Sequence, residues 1–533
     1  MRRVLTGMYA ERTKTWVILS LAVLFLFLIP GINHGLWRPD EPRVAGTCAE
    51  MARTGDYVVP HLNGEPFLEK PPLYYAAAAF AGSLMGVDKD VPYRLVSLLF
   101  GVLTILITFS MAAKKDGPVM GIIAGGILAS SWEFFMLSRW IQVDIALVFG
   151  VTLAMFAYLR WSDSPLARYS LTLGLAAGIS FLAKGLVGPA IIALAVLTDI
   201  IRRRDLWLVW RIRPFLVVSC MLIAVMPWIV ALWERGGWPF IRTALVVNNL
   251  MRFTGAPEGA ALGHQNGIFY YLEHFPGNIL PWTLIFIPAF IASMRRFRDD
   301  PYINWFIGPF ILFSFASAKR GIYLAPLYPA AACMMANWLA KASRRKWEDV
   351  FVKITWAVAA AGCLAPFAGI FLGVPVLGAA MGVISVVSLV LITRGKVKQR
   401  EAVSLVMAVC IAVCACSAVY FPYVKPTKDY LGLSRQALAA AGDREITLLA
   451  PEEILKGVFP MITGKTFKVA VSPADIRDQG VYFWADKSNR VMNALTKRQA
   501  TVDMLLEKEM DRKGREVARL ARIAPYAAGV IRP

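Results

Sequence analysis

Thirteen long apolar runs, separated by short segments of alternating character, constrain this chain more than any other feature. They fall near 16–33, 93–112, 118–138, 141–160, 168–183, 187–201, 213–233, 281–294, 302–318, 321–340, 352–373, 375–393 and 402–422. A straight membrane span needs about 20 apolar residues, and several of these runs are shorter. Composition agrees with membrane burial: 57% of residues are hydrophobic, 17% are charged, and mean hydropathy is +0.55. Soluble domains hold about 25% charged residues, and a chain this apolar lacks polar surface to cover itself in water. A soluble enzyme, a disordered chain and a disulfide scaffold are thereby excluded. The expected fold is a polytopic α-helical membrane protein with about 13 transmembrane helices.

The distribution of basic residues gives the topology. Lys and Arg number 57 against 36 Asp and Glu, a net charge of +21. With the N-terminus inside, seven segments face inward: 1–15, 113–117, 160–168, 202–213, 295–301, 341–353 and 394–401. Together they carry 25 Lys and Arg, as cytoplasmic loops do. The surplus therefore points to the membrane, and no nucleic-acid partner is expected. A fourteenth run, 73–86, would invert the loops after it if it spanned. It reads as a juxtamembrane or partly inserted helix on the outer side. No small-residue cleavage site follows the basic start and apolar run of residues 1–33, so a retained first span is expected.

Two long outer loops result, 34–72 and 234–280, and the tail after 422 is also placed outside. The expected domains are a transmembrane region over 1–422 and a small α/β domain over 423–533. Strand-like runs stand at Ile446–Ala450, Phe467–Val471 and Val481–Trp484. Six of the seven Cys lie in apolar segments and no CxxC pair occurs. Neither a disulfide framework nor a thiolate metal site is supported.

All four His lie in the two long loops. The first loop also holds the boxes RPDEPR (38–43) and EKPP (69–72). The charges of this loop read either as a solvated surface or as a polar site against the outer leaflet. Prolines bracketing adjacent acids and bases stiffen the backbone and favour the second reading. Further charges stand at span ends: Arg139, Asp144, Lys184, Lys319 and Arg320. Boundary charges of this kind either snorkel to lipid phosphate or serve function.

These residues carry a resemblance. The stretch 38–75, with Asp40-Glu41-Pro42-Arg43, Gly55-Asp56-Tyr57, Asn63-Gly64 and Glu69-Lys70-Pro71-Pro72, resembles the signature loop of bacterial C-type glycosyltransferases. The group includes the aminoarabinose (4-amino-4-deoxy-L-arabinose) lipid A transferases and the protein-mannosyltransferase-like enzymes. Arg139 with Asp144, Lys184-Gly185, His264 with Tyr270-Tyr271, and Ser317 to Pro329 are similar to later family segments. Val44 stands where the family usually has Tyr, and Phe67 where many members have Tyr.

The resemblance implies a C-type fold in the bacterial inner membrane, with the active site and the tail domain facing the periplasm. It implies an inverting transfer of a sugar from a polyprenyl-phosphate donor to an outer-face acceptor, lipid A or another envelope glycolipid. In that reading Asp40 is the base, and Glu41 and Asp144 are further catalytic candidates. Arg43, Lys70, Lys319, Tyr323 and Arg139 bind the donor and its phosphate. Some relatives imply a divalent metal (Zn, Mg or Mn), for which Glu69 and His264 are the candidates. No nucleotide cofactor and a monomeric state are expected. A transporter or flippase of a lipid-linked substrate would also explain the spans, and a protein O-glycosyltransferase would use the same donor. The flippase does not explain two Pro-braced acid–base boxes in one loop.

Overall fold

A computed structural model of the protein describes residues 30–257, 266–341, 344–394, 401–476, 479–510 and 515–524. The first apolar run lies almost wholly outside the described residues. The chain divides into two compact units: residues 1–32 with 97–423, and residues 33–96 with 424–533.

The first unit is helical. By length and composition, six helices among the described residues can cross a membrane, or seven if the bent pair Tyr270–Asn278 and Thr283–Arg295 is one span. The helix Asp144–Asp163 is the most enclosed of these, with the side chains of most of its turns buried. Its packing against Ala167–Lys184 uses small residues, as membrane helices do where burial in lipid gives no hydrophobic drive for association. Run 118–138 is broken: Pro118–Ser130 ends at Ser131, and a short helix, Trp132–Leu137, follows. Run 321–340 is likewise a 3₁₀ turn, Gly321–Leu327, leading into Tyr328–Leu339. Pro326 and Pro329 fall at this junction, where each removes a backbone donor.

The second unit brings the first outer loop and the tail into one body. Its sheet contains β3 (Ile446–Leu449), β4 (Val469–Ala470), β5 (Gly480–Lys487), β6 (Thr501–Glu509) and β7 (Glu516–Ala524), in the order β4-β3-β5-β7-β6. β4, β3 and β5 run parallel, and β7 and β6 continue antiparallel. The three strands expected from sequence form, and β6 and β7 are additional. Leu449, Trp484, Ala521 and Ile523 close the core on one face, with Leu495 of the helix Arg490–Lys497 above them.

The signature loop is largely folded by local rules. Pro42 stands in the first turn of the helix Glu41–Thr54, where a missing N–H costs nothing. Asp56 Oδ1 then accepts from the amides of Val58 and Val59 at 3.0 and 3.2 Å, an Asx turn. Asn63 and Gly64, both at positive φ (57° and 83°), form the two-residue turn between β1 (His61–Leu62) and β2 (Glu65–Pro66). That turn demands positive φ at both central positions, which Asn-Gly tolerates best. Asn63 also exchanges two hydrogen bonds with the backbone of Phe467, at 2.8 and 2.9 Å.

The helix Glu41–Thr54 packs on the tail helix Glu453–Thr463 through Gly46 and Gly457. A methyl at Gly457 would lie 2.3 Å from the carbonyl oxygen of Pro42, and one at Gly46 would lie 2.4 Å from Gly457. Both obstacles are backbone, so the helices must separate. Gly457→Ala is therefore expected to destabilise this unit by about 1–3 kcal/mol. A lowered thermal-unfolding midpoint of the purified variant would bear this out, and an unchanged one would count against the close approach.

Candidate active site

Two polar clusters, one in each unit, hold Asp40, Arg43, Glu69 and Lys70 in one case and Asp144 and Tyr323 in the other. In the second unit, Asp40 precedes the helix Glu41–Thr54 at the N-cap position, yet its side chain bonds to no helix amide. Instead Asp40 Oδ1 accepts from Arg43 Nη2 at 2.7 Å. Asp40 is 6% exposed. Arg43 Nη1 reaches two more carboxylates, Glu69 at 2.9 Å and Glu453 at 2.6 Å. Burial alone would lower the Arg43 pKa. Glu69, Asp40 and Glu453 outweigh it and hold the guanidinium more firmly charged than usual. Lys70 Nζ lies 3.2 Å from Glu69 Oε1 and 2.9 Å from its carbonyl oxygen. Among the contacts of the described residues, the carboxylates of Asp40, Glu69 and Glu453 meet the cations Arg43 and Lys70.

Glu41 turns the other way. It is 3% exposed, and both its oxygens face Arg94: Oε1 pairs with Nη1, and Oε2 lies 3.1 Å from Nη2. Glu41 Oε2 also accepts from the Trp37 amide at 2.9 Å and stands 3.3 Å from His34 Nε2. Burial would raise this carboxyl. Arg94 and His34 overcome that and bring it down to about 2. Arg94 reaches Asp90 as well, at 3.3 Å. Neither Arg94 nor His34 is singled out for this role by the sequence. An arginine four residues after an aspartate at the start of an apolar run was the available signal.

Arg38, the first residue of the DEPR box's flank, is anchored to the tail. Its guanidinium pairs with Glu516 and, at 2.6 Å, with Glu452, and Glu516 also takes the Tyr430 hydroxyl. This explains why the box sits firmly in the unit that contains β7. Glu453 is the tail-derived part of the Arg43 cluster, and nothing in the sequence announces it.

In the first unit, Asp144 opens the helix Asp144–Asp163 and pairs with Lys184, the last residue of Ala167–Lys184. Both are buried. Gln142 Nε2 adds a bond to Asp144 Oδ2 at 3.2 Å. Lys184 Nζ also lies 4.2 Å from the centre of the Tyr323 ring, a cation–π contact. Asp144, Lys184 and Tyr323 are therefore one group, although the sequence reading gave Lys184 no role. Lys319 is held apart from them by the carbonyls of Ala316 and, at 2.9 Å, Asn266. Arg139 donates to the carbonyls of Pro30 (2.9 Å) and Phe135 (2.7 Å), with its guanidinium 3.3 Å from the Phe135 ring centre.

The metal candidates divide. His264 lies outside the described residues. Glu69 is engaged by Arg43 and Lys70. Among the described residues, no three His, Cys, Asp or Glu side chains gather as a metal site would require.

The family described as dolichyl-phosphate-mannose-protein mannosyltransferase matches residues 69–231. An undecaprenyl phosphate-alpha-4-amino-4-deoxy-L-arabinose arabinosyl transferase of Edwardsiella ictaluri is 29% identical over 339 residues, 62% of this chain and 60% of that protein. The enzyme of the same name from Pseudomonas aeruginosa is 28% identical over 344 residues, 63% of this chain and 61% of its own length. The matched region thus spans about three fifths of these relatives. The crystal structure of ArnT from Cupriavidus metallidurans bound to undecaprenyl phosphate superposes with a TM-score of 0.73 at 21% identity, covering 95% of this chain and 98% of that one. The chain has that helical C-type fold, and in sequence it resembles the aminoarabinose-transferase and protein-mannosyltransferase-like group of bacterial C-type glycosyltransferases.

Proposed function

We propose that this protein is an integral membrane glycosyltransferase of the bacterial inner membrane. It moves a sugar from polyprenyl phosphate to an outer-face acceptor, most readily lipid A or another envelope glycolipid. In this reading the chain crosses the membrane thirteen times, and the tail and the reacting centre face the periplasm. The observation that carries the proposal is Asp40: a buried carboxylate at a helix start that caps no amide and is aimed sideways by Arg43. The activity named for the relatives supports the reaction class.

In the reaction, an acceptor oxygen bonds to the anomeric carbon as the carbon–oxygen bond to phosphate breaks. The phosphate departs with the electron pair. A hydroxyl acceptor loses its proton to Asp40. If the acceptor is a phosphate it is already ionised, and Asp40 instead stabilises positive charge growing on the sugar. Arg43 is held by three carboxylates, so it acts as the positioning residue for Asp40. Lys70 is then the cation of this cluster that meets the leaving phosphate. Asp144, Lys184 and Tyr323 bind sugar or donor, and Lys319 and Arg139 shape the surrounding loops.

Loss of a preorganised charge-stabilising donor costs about 2.7–4 kcal/mol of transition-state stabilisation. Lys70→Ala is therefore expected to lower the transfer rate by at least about two orders of magnitude, with the fold retained. Near-normal turnover would remove Lys70 from the leaving-group role. The proposal as a whole is tested by mass spectrometry of lipid A and other envelope glycans from cells with and without the protein. A sugar that disappears with the gene identifies both product and acceptor, whereas unchanged glycans would reject the activity.

A further inference from the structure

The helix Asp144–Asp163 rises about 1.5 Å per residue, so its two ends lie about 28 Å apart. Asp144 marks one end. The other opens onto a cavity of about 750 Å³. Among the described residues, five cations line it, Lys114, Arg160, Arg202, Arg203 and Arg298, with Asp163 and Asp299 on the acidic side. Three of the five are held by carboxylates. Lys114 pairs with Asp163, and Arg202 and Arg203 both pair with Asp199. Asp199 is itself 2% exposed and bound by the Tyr158 hydroxyl and, at 3.0 Å, by Asn304. This buried carboxylate fixes the two arginines at the cavity wall.

Arg160 and Arg298 differ. Arg160 stacks over Phe156, its guanidinium carbon 5.0 Å from the ring centre. Neither has a carboxylate partner among the described residues. Two guanidinium groups that face a cavity and have no carboxylate partner among the described residues recognise a phosphate well, because their planar forks match its oxygens. The wall beside them is apolar, with Met111, Phe156 and Leu159. A soluble phosphate has no use for such a wall, whereas the glycerol and first methylenes of a lipid do. Basic pockets between membrane helices on the cytoplasmic side suit anionic headgroups. This end of the helices carries the Arg202-Arg203-Arg204 triplet that the charge pattern of the sequence assigns to the cytoplasm.

We propose that this cavity binds the phosphate headgroup of an anionic phospholipid of the cytoplasmic leaflet, with Arg160 and Arg298 as its principal ligands. The site is separate from the Asp144–Lys184 group and needs no part of the transfer reaction.

The test uses the full-length protein, delipidated in detergent, with phosphatidylglycerol and phosphatidylethanolamine as probes. Native mass spectrometry should find phosphatidylglycerol retained in preference to phosphatidylethanolamine. An interfacial cation strengthens binding of an anionic lipid about fivefold, so the Arg160→Gln/Arg298→Gln pair should weaken it roughly thirtyfold. The unfolding temperature without added lipid reports whether the pair still folds. Should it not, Arg298→Gln alone, at an exposed position, is expected to show about a fivefold loss. Equal retention of the two lipids, or unchanged affinity in a folded variant, would overturn the proposal. Protection by inorganic phosphate equal to that by phosphatidylglycerol would overturn the lipid as occupant and leave a soluble phosphate in its place.

Discussion

Asp40→Asn is expected to leave the protein folded and able to bind the lipid carrier, yet to lower sugar transfer by about 10²–10⁴-fold, the range a positioned general base supplies. The substitution preserves shape and still offers Arg43 an oxygen at the 2.7 Å position. It removes charge and basicity alone. Had Asp40 been a helix cap, Asn would replace it almost silently. Its side chain makes no cap bond, so the two readings diverge in a single assay: carrier-dependent transfer by the purified variant, with thermal unfolding measured alongside. Transfer at the wild-type rate would reject the catalytic role.

The neighbouring residue is expected to behave in the opposite way. Glu41→Gln breaks a buried pair and takes one of the two carboxylates named at Arg94, which is fully enclosed, leaving Asp90 at 3.3 Å. Breaking such a pair costs about 3–5 kcal/mol. The pH dependence carries a sign that can be checked. The Glu41 carboxyl is brought from 4.5 to about 2 by Arg94 and His34, against the effect of its burial. A depressed folded-state pKa contributes stability that is fully present above the unfolded value and is lost as pH falls from about 4.5 towards 2. That contribution amounts to about 3 kcal/mol at neutral pH. Wild-type protein should therefore lose stability over this acid window, and the Glu41→Gln variant should start lower and show a flatter acid limb. The measurement is the unfolding midpoint in detergent as a function of pH. A variant with wild-type stability and a large loss of transfer would move Glu41 back among the catalytic groups.

The contrast between these adjacent acids marks where the sequence stops being informative. Local signals read well. Pro42 at a helix start and Asn63-Gly64 at a two-residue turn follow from backbone chemistry within a few residues. Glu41 does not, because its partner Arg94 lies 53 residues on. Nothing near either residue announces the pair. Arg43 is similar: its neighbours Asp40 and Glu69 were in view, but Glu453, some 400 residues later, was not. The tail shows a related limit. β3, β4 and β5 are rich in β-branched and aromatic residues, whereas β6 (TVDMLLEKE) and β7 (EVARLARIA) are full of good helix formers. They are strands because β7 pairs along its length with β5 on one side and β6 on the other. Tertiary pairing overrides a weak local preference. The Lys184 partner of Asp144 was visible as a charge at a span end, and only the fold brings the two helix termini together.

One measurement bears most directly on the central claim. Purified protein is given a sugar-loaded polyprenyl-phosphate carrier with and without lipid A, and free polyprenyl phosphate and glycosylated acceptor are quantified together. Equimolar release of polyprenyl phosphate and appearance of modified lipid A, both abolished in Asp40→Asn, is the predicted result. Carrier that crosses the bilayer intact, with its sugar still attached and no acceptor modified, would contradict the account and make the protein a transporter of the lipid-linked sugar.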